Sequence, residues 1–235
     1  IEQEEQRLLA VVDHVFVTSP ELLVRKSVFN SRVHFLPNVA DFEHFNRAMV
    51  CDLPCPQDIQ AFPQPLVGFI GAISGYKLDF ALIRQMVMSR PQYQFVFIGK
   101  VGEGDPWTDI QDLQDLPNLH FIGPKAYSDL PAYLHQFAAC LLPCAINEYT
   151  RNMFPMKFFE YMAAGRPVVT TPLPALVSYG EFCDIATTAD EFAVCLDRIT
   201  QCPDTEKIQR GVVEAKRNTY LARTQTMLDM IGGLK

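Results

Sequence analysis

Lys157 and Glu160 lie three residues apart in the segment Phe154-Pro155-Met156-Lys157-Phe158-Phe159-Glu160-Tyr161-Met162-Ala163-Ala164-Gly165-Arg166-Pro167-Val168-Val169, which reads as a short helix running into a buried strand. At that spacing the two side chains share a helix face. Lys157 stands nearer the N-terminus, where free backbone N–H groups favour an anion, so a diphosphate fits that end. Glu160 comes one turn deeper among Phe158, Phe159, Tyr161 and Met162. A carboxylate there is costly to bury unless a ligand hydroxyl or a backbone donor satisfies it. The helix is bounded by its own residues. Pro155 suits the first turn, Gly165 suits the left-handed residue just past the end, and Pro167 stops any continuation.

Other candidates sit where strands end. Gly71-Ala72-Ile73-Ser74-Gly75-Tyr76-Lys77 is a glycine-bearing turn whose backbone can approach a phosphate closely. A plain tight turn, with Lys77 a solvated helix-start residue, accounts for the same residues. Ile98-Gly99-Lys100 and Ile122-Gly123-Pro124-Lys125-Ala126-Tyr127 close two further strands. Asn147-Glu148-Tyr149-Thr150-Arg151-Asn152 brings several hydrogen-bonding side chains to the approach of the key helix. Within it, Glu148 reads as a solvent-exposed loop charge.

The elements that must position these residues follow from hydrophobic pattern. Apolar runs at 66–70, 95–98, 119–122, 138–142 and 168–169 are strand candidates, with helical patterns between them near 79–89, 107–116, 128–137 and 154–164. Such alternation predicts an α/β fold, a Rossmann-like parallel sheet with helices on both faces and ligands at the C-terminal strand ends. Upstream, a helix over 1–12, a strand at Val15–Val17, a helix begun by Thr18-Ser19-Pro20-Glu21 and a strand at Val33–Leu36 form a partial second α/β unit. Residues 50–65, with four prolines and no clear period, read as linker. Segments 188–200, 204–217 and 219–234 read as helices.

Composition narrows the function classes. With 49% hydrophobic and 20% charged residues in 235, the chain is ordinary globular material. Its net charge of −7 argues against nucleic acid and favours a small anionic ligand over a polyanion. No apolar run approaches the ~20 residues that span a bilayer. The acidic start, Ile1-Glu2-Gln3-Glu4-Glu5-Gln6, is unlike a signal peptide, so a cytoplasmic location is expected, with room for peripheral membrane association. Seven cysteines without C-x2-C spacing read as buried reduced thiols rather than a zinc site. The five histidines show no metal-ligand spacing and read as structural.

The key helix resembles the donor-binding half of GT-B glycosyltransferases of family 4, whose late motif reads Pro-x-Lys-x-x-Glu-Tyr-x-Ala-x-Gly-x-Pro-Val-Val. Pro37-Asn38-Val39-Ala40-Asp41-Phe42-Glu43-His44-Phe45 is similar to the segment that in this family joins the first Rossmann-like domain to the second. The resemblance implies transfer of a sugar from a nucleotide diphosphate sugar to an acceptor hydroxyl, in glycan or polysaccharide biosynthesis. No metal and no cofactor beyond the donor substrate are implied, and the chain has no Asp-x-Asp. Lys157 is the implied catalytic residue, stabilising the leaving diphosphate, and Glu160 holds the ribose. Gly71, Lys77, Pro124, Lys125, Ala126, Thr150, Asn152 and Met156 complete the implied donor site, with residues 124–126 meeting the base through their backbone. Family members often carry a second glutamate eight positions before the first, and here that position is Asn152. The Met156-Lys157 pair is also similar to inverting glucuronosyltransferases of the same architecture.

The same comparison divides the chain into the end of an N-terminal domain (1–49), a linker (50–65), the donor-binding domain (66–217) and a C-terminal helix (218–235) crossing back to the first domain. It implies that an N-terminal domain binding a glycan or lipid-linked acceptor is missing. Two other readings stay open: a non-catalytic nucleotide-binding or assembly module, and a nucleotide-sugar epimerase of the same architecture.

Overall fold

A six-stranded parallel sheet carries the central part of the chain, and its strand order sets where a ligand can sit. The computed structural model describes residues 2–232. The elements run α1 (Glu2–Val11), β1 (Val15–Val17), α2 (Pro20–Ser27), β2 (Val33–Phe35), α3 (Phe42–Val50), β3 (Leu66–Ile70), α4 (Phe80–Ser89) and β4 (Gln94–Ile98). They continue with α5 (Gln111–Gln114), β5 (Leu119–Phe121), α6 (Leu130–Gln136), β6 (Phe137–Leu142), α7 (Glu148–Arg151) and α8 (Lys157–Ala163). Last come β7 (Val168–Thr170), β8 (Asp184–Ile185), α9 (Ala189–Gln201), α10 (Thr205–Arg217) and α11 (Tyr220–Gly232). Strands β1 and β2 pair in parallel as a separate two-stranded sheet.

The large sheet has the order β5-β4-β3-β6-β7-β8, with every neighbouring pair parallel. Renumbered within the sheet this is 3-2-1-4-5-6, the doubly wound dinucleotide-binding order, and it reverses direction between β3 and β6. In folds of this order ligands sit outside the carboxyl ends of the strands at that reversal, where the loops after β3 and β6 leave the sheet. Side chains alternate across the sheet and feed two cores. Leu66, Ile70, Val96 and Ile98 pack with Phe45, Leu134, Phe158 and Ala215 of α3, α6, α8 and α10. Val67, Phe69, Phe95 and Phe97 pack with Ile83, Met86, Phe192 and Leu196 of α4 and α9. The expected α/β class, with helices on both faces and a partial second unit, is what the chain adopts.

Several elements differ from the sequence reading. The helix expected over 107–116 shrinks to α5, because Gly102 and Gly104 take positive φ and Thr108 turns back onto Asp105 through a 2.8 Å hydrogen bond. The two-residue strand β8 was too short to leave a hydrophobic signature. The proline-rich stretch 50–65 is not a loose tether. Ile59 is fully buried in the core, and Asp58 accepts from Tyr133 and pairs with Lys125 at 2.7 Å. Burial alone would raise the Asp58 carboxyl, but the Lys125 and Tyr133 hydrogen bonds outweigh it and hold it below the usual carboxylate value. Helix α3 begins within residues 1–49 and ends at Val50, and it packs on α6 and α8 and buries Phe42, Phe45 and Ala48 there. The cysteine expectation holds for Cys140, Cys144 and Cys183, whereas Cys51 and Cys202 are exposed. Residues 233–235 of the expected last helix lie outside the described residues.

Candidate functional site

Helix α8 begins at Lys157, two residues later than Pro155, so the proline precedes the helix instead of filling its first turn. Its carbonyl still accepts from Phe158 N–H at 3.1 Å, which tightens the entry. The exit is as the sequence implies. Gly165 has φ +66, its N–H reaches Met162 O at 2.9 Å, and Arg166 N–H reaches Tyr161 O at 3.0 Å, closing the last turn. A Cβ on Gly165 would also press on the Met49 thioether at 2.9 Å, so α3 crosses at this corner.

Every residue from Phe158 to Ala163 is buried, Glu160 included at 4% exposure. Lys157 Nζ lies 2.6 Å from Glu160 Oε2 and 5.9 Å from the Phe45 ring centroid. The two side chains expected to divide ribose and diphosphate between them are thus paired to each other. Burial pushes the Glu160 carboxyl above its ordinary value, with Lys157 and then His44 acting in the opposite direction. His44, on α3, stacks on Tyr127 with ring centroids 4.4 Å apart and donates from Nε2 to Tyr127 O at 2.9 Å. Burial, with Glu160 and Asp41 adding to it, raises the Tyr127 phenol to about 12. This brings the loop after β5, which carries Pro124, Lys125 and Ala126, against the same wall as Glu160. The Lys125 ammonium is committed to Asp58 at 2.7 Å.

A second set of residues gathers at the β3/β6 switch. Gly71 follows β3 and donates to Ile98 O at 2.9 Å, and a Cβ on Gly99 would lie 1.8 Å from Gly71 O. Glycine at 99 is therefore required for the two strand ends to close together. The loops after β3 and β6 are tied by Asp79 N–H to Pro143 O at 2.9 Å and Ala145 N–H to Lys77 O at 3.0 Å. The Lys77 ammonium rests 5.3 and 6.0 Å from the ring centroids of Tyr76 and Tyr149. Ser74 Oγ is buried in this loop without a hydrogen-bond partner.

Tyr161 is the positioning residue that spacing did not single out, although it lies inside the motif. Its hydroxyl accepts from Ile70 N–H at 2.7 Å and donates to Ile70 O at 3.2 Å. This fully buried pair fixes the middle of α8 to the last residue of β3, and so Glu160 to the switch point. Burial raises the phenol well above its ordinary value, so it stays protonated.

Between the two units the remaining candidates part company. Thr150 is fully buried and closes a capping box with Asn147 that holds α7, so its hydroxyl is used within the loop. Asn152 donates through Nδ2 to Glu148 O at 2.7 Å while its Oδ1 is buried without a partner. Met156 is half exposed and lines a hollow shared with Phe16, Asn38, Tyr220 and Arg223. Tyr220, Arg223, Thr224 and Met227 of α11 line this hollow with Phe16 and Thr18, and Ala40 N–H bonds Asn218 O at 3.1 Å. Asn38 Nδ2 donates to Phe154 O at 2.7 Å, anchoring the chain just before α8 to the loop after β2. The histidines have structural partners: His14 with His34, His120 with Gln94 and His135 with Ala48 O.

Among known proteins, the chain is similar to TuaH of Bacillus subtilis (strain 168), assigned as a glycosyltransferase of teichuronic acid biosynthesis. The two are 29% identical over 180 residues, which cover 74% of this chain and 44% of that protein. The chain thus spans under half the length of this relative. Among solved structures, HepE of Anabaena in complex with UDP superposes with TM-score 0.79 at 15% identity, over 100% of this chain and 69% of that one. Sucrose-phosphate synthase of Thermosynechococcus elongatus gives 0.74 at 20%, over 98% and 60%. Both likenesses carry the GT-B fold. Residues 64–201, which hold the doubly wound sheet, the switch-point loops and the Lys157–Glu160 helix, match the family described as glycosyl transferases group 1, and the chain belongs to that family.

Proposed function

We propose that the chain is the donor-binding part of a cytoplasmic glycosyltransferase that moves a sugar from a nucleotide diphosphate sugar to an acceptor hydroxyl in polysaccharide assembly. In that transfer the bond between the sugar's anomeric carbon and the diphosphate breaks as a bond to the acceptor oxygen forms, and the acceptor hydroxyl's proton passes to a base or to the departing diphosphate. Negative charge then builds on the departing diphosphate. The observation that carries the reading is Glu160, a buried carboxylate held beside the switch point by Tyr161, with the part-exposed Lys157 ammonium as its one hydrogen-bond donor among the described residues.

Glu160 holds the ribose hydroxyls in this scheme. Lys157 leaves it to meet the diphosphate, joined by Lys77 and the backbone at Gly71. The backbone at Pro124, Lys125 and Ala126 meets the base, and Asn152 and Met156 border the sugar, with Thr150 holding the loop that carries them. No metal enters the scheme. Residues 66–217, braced by α3, form the donor domain, and residues 1–41 supply one wall of the cleft toward the acceptor. HepE structures hold UDP and UDP-glucose, which supports UDP as the first nucleotide to try.

Calorimetry with UDP, GDP and ADP tests the reading. Binding of at least one nucleoside diphosphate is expected, with little or no sugar transfer by this segment alone. A folded chain that binds none of the three would sink it.

A further inference from the structure

Lys77 is a cation without a counter-charge at the junction of the loops that leave β3 and β6. Its ammonium makes no ion pair or hydrogen bond among the described residues, whereas the Lys157 ammonium is paired to Glu160 at 2.6 Å. Asp79, close by in the chain, is used to cap α4, accepting from Leu82 N–H at 2.9 Å. What the Lys77 ammonium has instead is two aromatic rings. Tyr76 and Tyr149 meet edge to face, with centroids 4.9 Å apart and planes at 84°, and Lys77 Nζ lies 5.3 Å from the first centroid and 6.0 Å from the second. Neither phenol hydroxyl makes a hydrogen bond among the described residues, so what these side chains offer the lysine is their rings.

The rings come from different loops, and both loops are held. Tyr76 follows β3, and its carbonyl accepts from Asn147 Nδ2 at 2.8 Å. Asn147 also closes the capping box with Thr150 that starts α7, the short helix that carries Tyr149. Leu78 and Cys144 form an antiparallel bridge between the same loops, and Ala145 N–H reaches Lys77 O at 3.0 Å. Lysine and rings are thus fixed together at the switch point. The physical consequence lies in what a ring does to an ammonium. A free lysine side chain loses conformational entropy when a ligand fixes it. A carboxylate that fixed it beforehand would neutralise it and have to be displaced by an incoming anion. A ring confines the ammonium through its quadrupole and leaves its positive charge in place.

We propose that Tyr76 and Tyr149 are positioning residues for the departing diphosphate, acting through Lys77: their rings hold the ammonium at the carboxyl ends of β3 and β6 and leave its charge for the phosphate oxygens. The inference rests on the donor-site reading above and adds to it two side chains that reach the reaction only through the lysine.

The test measures affinity for UDP and for uridine by calorimetry, with GDP or ADP and its nucleoside used instead if one of those is the nucleotide bound. Tyr76→Leu and Tyr149→Leu should each weaken the diphosphate by about two- to fivefold, the span of an exposed cation–π contact, and leave the nucleoside unchanged. Tyr149→Phe keeps the ring and should bind both ligands as the wild type does. Lys77→Met should weaken the diphosphate at least as much as either leucine variant, and in that background Tyr149→Leu should add no further loss. A merely structural Tyr149 would lower nucleoside and diphosphate affinity together, and a tyrosine that touches the ligand itself would keep its effect without Lys77. Either result overturns the inference alone, as does diphosphate affinity left unchanged by Tyr149→Leu or by Lys77→Met. Failure of all three nucleoside diphosphates to bind overturns the donor-site reading and the inference together.

Discussion

Lys157 Nζ and Glu160 Oε2 are 2.6 Å apart on one face of α8, and this ion pair is the only hydrogen bond made to the Glu160 carboxylate among the described residues. The pair solves the apo protein's problem of a nearly buried charge. It also means that a ligand claiming either side chain must replace what the other loses.

The pH dependence of stability follows from that arrangement. The folded Glu160 carboxyl titrates above its ordinary 4.5, so below that value it is neutral in folded and unfolded chains alike. As pH rises past 4.5 the unfolded chain ionises first, and stability from this group falls until pH passes the raised folded value. Urea unfolding from pH 4 to 7 should show this decline in the wild type and lose it in Glu160→Gln. Lys157→Met should extend the decline to higher pH and lower stability at pH 7 by about 1–3 kcal/mol. Parallel pH profiles for wild type and Glu160→Gln would contradict a buried ionising carboxyl at this site.

Ligand chemistry at Glu160 is separable from packing. Glu160→Gln keeps the shape but loses the charge and one acceptor oxygen, so affinity for a nucleoside diphosphate should drop by about 1–3 kcal/mol. The same change should have little effect on a 2′,3′-dideoxynucleotide, which the wild type should bind weakly. If wild type binds both nucleotides equally, Glu160 does not hold the ribose.

Tyr161→Phe removes one hydroxyl and leaves Ile70 N–H buried and unpaired. It should destabilise the fold by about 1–3 kcal/mol in denaturant titration and weaken nucleotide binding, because α8 is no longer pinned to β3. Unchanged stability would mean that Ile70 finds another acceptor.

Two glycines at strand ends should respond differently to alanine. Gly99→Ala puts a Cβ into the Gly71 carbonyl, which is backbone and cannot swing away, so a loss of at least about 1–3 kcal/mol is expected. Gly123 has φ +70 but open space around it, so its alanine variant should lose only about 1–2 kcal/mol of backbone strain. Urea midpoints that place Gly123→Ala below Gly99→Ala would reverse the order.

Local pattern was enough for the elements whose cause is local. Apolar runs and helical patterns located β3, β4, β6, α4 and α9, and Gly165 with Pro167 marked the end of α8, because a left-handed residue and a missing N–H act within one turn. Strand order was beyond it, since pairing of β3 with β6 joins residues some seventy apart and depends on which helix covers which face. The same holds for the site. Lys157 and Glu160 could be placed on one face from their spacing, but their mutual pairing, the hold of Tyr161 on Ile70 and the commitment of Lys125 to Asp58 arise only when distant segments pack. Glu148, read as a solvated charge, is exposed in the folded chain, where it opens α7 and lines a hollow together with Arg25 and Asn152. A sequence states which groups are available, while burial and the nearest partner, set by the tertiary fold, decide what each group must bind.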